Sequence, residues 1–165
     1  MHKILIFGLL LFMFVSCKEK AQEVAVDDTF GYGISTEKWP NKLSVNSEVK
    51  AILGKWPEYS AMDVSFDAIY NAANIEDLRL TLENIIEDQK LLEDSKYPIE
   101  FDKPQIKSRQ KVFKTYVLKV KGDLIYRLDP EASVHEMINA YNALRKQFNV
   151  MLSNTLDTKL ILDEA

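Results

Sequence analysis

From Ser44 onward the apolar residues recur at helical spacing. Val45, Val49, Ile52, Leu53 and Trp56 share one side of a first segment, with Ser44 placed to cap it. Pro57 disfavours helical geometry at the residue before it, so this segment is expected to stop or kink near Trp56. Phe66, Ile69, Tyr70 and Ala73 form a short continuation, with Asp63 as its candidate cap. Asn74 followed by Asp77 is the next start signal. Behind it Ile75, Leu78, Leu82, Ile85, Ile86 and Leu92 fall within about 120° of one another at 100° per residue, and Pro98 ends the run. Ile106, Phe113, Val117, Val120, Leu124 and Leu128 predict a helix from about Lys103 to Leu128. Asp129-Pro130 reads as a cap followed by a proline at the first helical position. Val134, Met137, Ile138, Tyr141, Leu144, Phe148 and Leu152 then mark a last helix that should fade near Asn154 to Asp157.

The connections at Asn74 and at Asp129-Pro130 are short, and residues 96–102 make a loop of moderate length. Short connections favour antiparallel neighbours. The expected fold is therefore all-α, an up-and-down bundle of about four helices with the first broken near Pro57. Each helix has one apolar face and none would be stable alone in water. Composition agrees: the chain has only five glycines and five prolines, too few for the many turns of an all-β fold. Its 165 residues suit one ordinary domain. The expected division is 1–16 leader, 17–43 flexible linker, 44–157 bundle and 158–165 tail.

The amino end follows a different rule. It reads MHKILIFGLLLFMFVSCKEK, with Lys3 ahead of an apolar run from Ile4 to Val15, then Ser16 and Cys17. That run is about twelve residues, or roughly 18 Å as a helix, well short of the roughly 30 Å hydrocarbon core of a bilayer. The length suits the apolar core of a secretory signal. Val15-Ser16-Cys17 resembles the lipobox of bacterial lipoproteins, and Cys17 is the single cysteine of the chain. Phe14 departs from that pattern, which usually has leucine or another aliphatic residue three before the cysteine.

The resemblance covers residues 1 to about 20. It implies cleavage between Ser16 and Cys17, a diacylglycerol on the Cys17 sulfur and often an acyl group on the new amino end. Several acyl chains make such attachment durable where one alone would anchor marginally. Lys18, rather than aspartate, follows the cysteine, which in enteric-type lipoproteins implies transport to the outer membrane. The run Lys18-Glu19-Lys20 also resembles charged signals that carry some lipoproteins to the cell surface.

Charge and chemistry narrow the rest. The formal net charge is −4, and Lys3 is the one charged residue among 1–16, so cleavage leaves −5. A nucleic-acid binder would normally show a basic excess, so nucleic acid is not an expected partner. One cysteine leaves no internal disulfide, cysteine zinc cluster or iron–sulfur site. Phe30-Gly31-Tyr32-Gly33 lacks the preceding strand and the following GKS or GKT of a phosphate loop. Haem and di-iron chemistry also occur in four-helix bundles, but CxxCH and ExxH pairs are missing. No nucleophile elbow or other catalytic motif is present, so neither enzyme activity nor a cofactor is expected. Met62, Met137 and Met151 fit core filling better than copper binding.

Four features remain as candidates. Lys103, Lys107, Lys111, Lys114 and Lys121 lie within about 80° of one another on a helical wheel. They would form either a basic patch facing anionic headgroups, polysaccharide or an acidic partner, or a solvated flank. Glu76, Glu83, Glu87 and Asp94 form an acidic counterpart on the preceding helix, nearly opposite its apolar stripe. Arg145 falls inside an apolar stripe between Tyr141 and Phe148. It would hold an anionic ligand between helices, run its methylenes along the core edge, or pair with a carboxylate. Gln110 carries the same ambiguity. His135 lies four residues after Glu131, a spacing open to metal binding or to a plain exposed pair. The expectation is a lipid-anchored envelope protein whose bundle acts as a binding or structural module. The alternative is a small-ligand carrier with a pocket near Arg145, Tyr141 and Gln110.

Overall fold

The computed structural model describes residues 33–163, with side chains through Ser153. The leader, Ser16, Cys17 and the Phe30–Tyr32 stretch lie outside the described residues. The architecture is an all-helical bundle, and no strand occurs among the described residues. Its elements are α1 (Ser47–Leu53), α2 (Pro57–Asp67), a 3₁₀ turn (Ala68–Asn71), α3 (Ile75–Asp94), α4 (Pro104–Ile125) and α5 (Glu131–Asp163).

Local chemistry sets the boundaries. Asn46, not Ser44, caps α1: its side chain accepts the Val49 N–H at 2.8 Å while Ser44 is exposed. Pro57 breaks the first helix as the pattern predicts, and it does so as the first residue of α2. Asp63 therefore sits inside α2 and is not a cap. Asn74 caps α3 by accepting the Asp77 N–H at 2.8 Å, the arrangement the sequence signalled. Pro104 opens α4. The carboxylate of Asp129 accepts the Glu131 N–H at 2.9 Å, and the Pro130 carbonyl accepts the Val134 N–H. α4 ends with Arg127 at φ 54°, Leu128 N–H bonded to Asp123 O and Arg127 N–H to Leu124 O. These bonds satisfy two carbonyls that the helix end would otherwise orphan. α5 continues to Asp163, through the region expected to be a tail.

Cross-helix pairs tie each helix to the next. Ser65 meets Asp88 between α2 and α3, and Glu93 meets Lys114 between α3 and α4. Lys119 pairs with Glu136 between α4 and α5. These pairs fit an up-and-down bundle, in which successive helices run antiparallel. The core between them is aromatic: Phe66, Phe113 and Tyr141 are buried, with ring centroids 3.9 to 5.9 Å apart. Tyr59, Phe148 and Phe101 extend the cluster toward the loop before α4. Aliphatic side chains from α1, α3, α4 and α5 close around it, among them Val49, Leu82, Val120 and Leu144, each with no exposed surface.

One segment departs from expectation. Residues 34–46, assigned from sequence mostly to a flexible linker, lie in the groove between α2 and α5. Ile34 N–H bonds to Ala73 O, the Thr36 hydroxyl to Tyr70 O, and the Tyr70 hydroxyl to Pro40 O. On the other side Leu43 N–H donates to Asn142 Oδ1 at 2.7 Å, and Asn46 N–H to Asn149 Oδ1 at 3.0 Å. The segment runs antiparallel to α2 and parallel to α5. Trp39 pins it, 6% exposed, with its ring edge-on to Tyr70. Few apolar residues are needed to hold it, because part of its backbone is satisfied by the Tyr70, Asn142 and Asn149 side chains beneath it.

Candidate functional site

The polar centre of the molecule is built from two pairs of residues, each one helical turn apart. Tyr59 and Asp63 project from α2, and Tyr141 and Arg145 from α5. Spacing of i and i+4 puts each pair on one face, so antiparallel helices bring the four together. Arg145 Nη1 donates to Asp63 Oδ1 at 2.7 Å and to the Tyr59 hydroxyl at 2.9 Å. Its Nε donates to the Leu43 carbonyl of the docked segment at 2.5 Å. The Tyr141 hydroxyl donates to the same Asp63 oxygen at 2.5 Å. Having given its one proton there, Tyr141 is left to accept from Tyr59 at 3.3 Å. Lys42 closes the outer side, 3.3 Å from Asp63 and 2.6 Å from Asp67.

Burial sets the protonation of this cluster. It raises the Tyr59 hydroxyl to about 12; Arg145 opposes the rise and Asp63 adds to it. Burial likewise pushes Tyr141 well above its ordinary value, helped by Tyr59 and Asp63. Both phenols are therefore neutral donors at physiological pH, beside a charged Arg145. An anionic ligand reaching Arg145 would have to displace the chain's own carboxylate and carbonyl. The arrangement is that of a structural lock: it ties α2, α5 and the segment 34–46 into one unit.

Gln110 does not belong to this cluster. It is buried in the seam between α3 and α4, where its Oε1 accepts the Tyr97 hydroxyl at 2.5 Å. Its Nε2 is buried without a hydrogen-bond partner among the described residues. The three residues grouped as one ligand pocket from sequence are thus two Arg145-cluster members and one distant amide.

The lysine stripe divides in the same way. Lys107, Lys111 and Lys114 line a groove of about 510 Å³ along the α3–α4 seam, together with Glu93, Tyr97 and Gln110. Lys107 pairs with Asp102 at 2.6 Å and lies over the Tyr97 ring, 4.9 Å from its centroid. Lys114 pairs with Glu93 at 2.6 Å. Lys103 is the residue preceding α4, and Lys121 lies half-buried two turns beyond Lys114. Of the acidic set on α3, Glu76 and Glu83 bind Arg79 of their own helix, and Glu87 and Asp94 are exposed. His135 is half-buried, its Nε2 without a hydrogen-bond partner among the described residues, while Glu131 is exposed. Met62 and Met137 are fully buried in the core.

A second groove of about 560 Å³ lies where the α1–α2 break meets the loop before α4, with Trp56, Pro57, Tyr97 and Pro98 in its walls. Its exposed apolar member is Ile99, 81% accessible.

Sequence reasoning found Arg145 and Tyr141 but missed their partners. Asp63 was assigned to a helix start, and Tyr59, Lys42, Asn142 and Asn149 attracted no notice. One signal was present: two polar–aromatic pairs at the same i, i+4 spacing on helices expected to run antiparallel. The chain matches no family model, no curated protein and no solved structure.

Proposed function

We propose that this chain is a bacterial lipoprotein, anchored through lipidated Cys17 at the outer membrane, whose helical bundle is a binding or structural module of the cell envelope. The observation that carries the reading is the leader: an apolar run too short to span a bilayer, ending at the one cysteine of the chain. No helix among the described residues is long and apolar enough to cross a membrane, so on this reading attachment rests on acyl chains.

The docked segment supports a tether. Among the described residues, contacts with the helices begin at Ile34; on this reading residues 18–33 lie between the lipid and that point in the chain. At full extension that is a reach of at most roughly 55 Å. A partner or envelope polymer within that distance of the membrane would be held at high effective concentration. The carrier reading gains no support at Arg145, whose Nε and Nη1 are engaged by Leu43, Tyr59 and Asp63.

Fractionation tests the proposal. The wild-type chain should pellet with outer membranes and need detergent for release, and Cys17→Ala should lose the lipid modification. Equal release of wild type by salt alone would contradict lipid anchoring. Crosslinking in intact cells, comparing wild type with Cys17→Ala, then tests for a partner whose capture depends on the anchor.

A further inference from the structure

The groove along the α3–α4 seam is built for an anion. Lys107, Lys111 and Lys114 recur at spacings of four and three, which stacks three ammonium groups on one face of α4. Like charges so placed repel one another, and a bound anion would relieve that repulsion. Glu93 is the single carboxylate among the lining residues, so the lining carries a net charge of +2. Lys107 and Lys114 already have carboxylate partners, but no partner engages the Lys111 ammonium among the described residues.

The second observation comes from beneath the lysines. Gln110 is 1% exposed, lines the groove, and leaves Nε2 without a hydrogen-bond acceptor among the described residues. A buried orphan donor costs about 1–3 kcal/mol and calls for an explanation. Tyr97 covers it, giving its own proton to Gln110 Oε1. A ligand oxygen entering beside Tyr97 would supply the missing acceptor. The donor set is cationic at Lys107, Lys111 and Lys114. It holds ammonium groups and no arginine fork, so it would engage a phosphoryl group as a set of point charges.

We infer that the groove lined by Lys107, Lys111, Lys114 and Gln110 is a binding site for a phosphoryl group, supplied by a phospholipid headgroup or by a soluble phosphate. This site is independent of lipidation at Cys17. Glu93 occupies part of it as an internal competitor through its bond to Lys114.

Thermal unfolding and calorimetric titration of the full chain in neutral detergent test the inference. The probes are inorganic phosphate and dihexanoyl-phosphatidylglycerol, with dihexanoyl-phosphatidylcholine and acetate as comparisons at matched ionic strength. Saturable binding of either phosphate probe supports the site, and the stronger of the two identifies the source. Lys111→Ala should weaken it by about fivefold, the scale of one surface charge contact, with the ligand-free melting temperature unchanged. Glu93→Gln should strengthen binding, a gain that a purely structural groove would not give. Lys121→Ala, off the groove on the same helix, should bind as wild type does. Absence of saturable phosphate binding would overturn the inference. So would acetate binding of equal strength, or identical affinities for Lys111→Ala, Glu93→Gln and wild type.

Discussion

Asp63 and Arg145 stand 82 residues apart in the chain and 2.7 Å apart in the fold. Their contact joins α2 to α5, and through Leu43 O it also joins both helices to the segment that leads back toward the amino end. Arg145 is almost wholly buried, with a side-chain exposure of 8%. Removing Asp63 strands the guanidinium in a poorly solvated place, and removing Arg145 leaves Asp63 with Lys42 as its remaining cation, so either loss costs more than a surface pair is worth. Arg145→Met and Asp63→Asn should each destabilise the domain by about 3 kcal/mol in urea unfolding. The double substitution should cost less than the sum, because the second change removes the stranded group. Strict additivity would mean that the two do not act as a pair.

The buried phenols give the fold an alkaline limit. Tyr59 holds its proton up to about 12 in the folded state, and Tyr141 also titrates well above its ordinary value. An unfolded tyrosine ionises near 10, so above that pH the unfolded chain binds fewer protons and stability falls as pH rises. The contribution is fully present below about pH 10. For Tyr59 it is lost through about pH 12, at about 1.4 kcal/mol per pH unit. Urea midpoints of wild type should therefore drop more steeply across this window than those of the Tyr59→Phe, Tyr141→Phe double variant. Parallel curves would show that these hydroxyls do not govern the response.

Docking of residues 34–46 has a local test. Asn142 accepts the Leu43 N–H and donates to the Asn41 carbonyl at 2.9 Å. Asn142→Ala removes both bonds and should leave the helices intact. Trypsin should then cut after Lys42 faster than in wild type, while cleavage after the exposed Lys38 serves as reference. Unchanged cleavage after Lys42 with unchanged circular dichroism would show that other contacts hold this stretch.

The core prediction is simpler. Leu144 is fully buried on α5, on the same face as Tyr141 and Phe148. Leu144→Ala should cost about 2–5 kcal/mol through lost burial and the cavity left behind. Leu144→Asp should abolish cooperative melting, because a carboxylate there would have no partner. An unchanged melting curve for Leu144→Asp would contradict the packing of α5 against the bundle.

The helices were legible because each repeats an apolar face over several turns, and because Asn74 marks a start and Pro57 a break by their own chemistry. The ordered segment 34–46 was not, since its attachment depends on one tryptophan and on side chains of Asn142, Asn149 and Tyr70 far along the chain. No periodicity records a backbone that is satisfied by someone else's amide. Asp63 was misplaced for a related reason: ahead of an apolar run a carboxylate has the composition of a cap, and its tie to Arg145 appears only when α2 and α5 meet. Ser44 lost the cap of α1 to Asn46, the residue immediately before the first helical turn. The lysine stripe was visible on the wheel, but its division into Lys107, Lys111 and Lys114 facing a groove depends on where α3 ends and Tyr97 falls.

The functional account turns on the chemistry of the amino end, and intact mass spectrometry of the chain purified from bacterial membranes addresses it directly. The account predicts a mature chain that begins at Cys17, lacks residues 1–16 and carries the added mass of a diacylglycerol, with or without a further acyl group. A chain that retains its leader, or one that begins at or near residue 17 with an unmodified thiol, would contradict it.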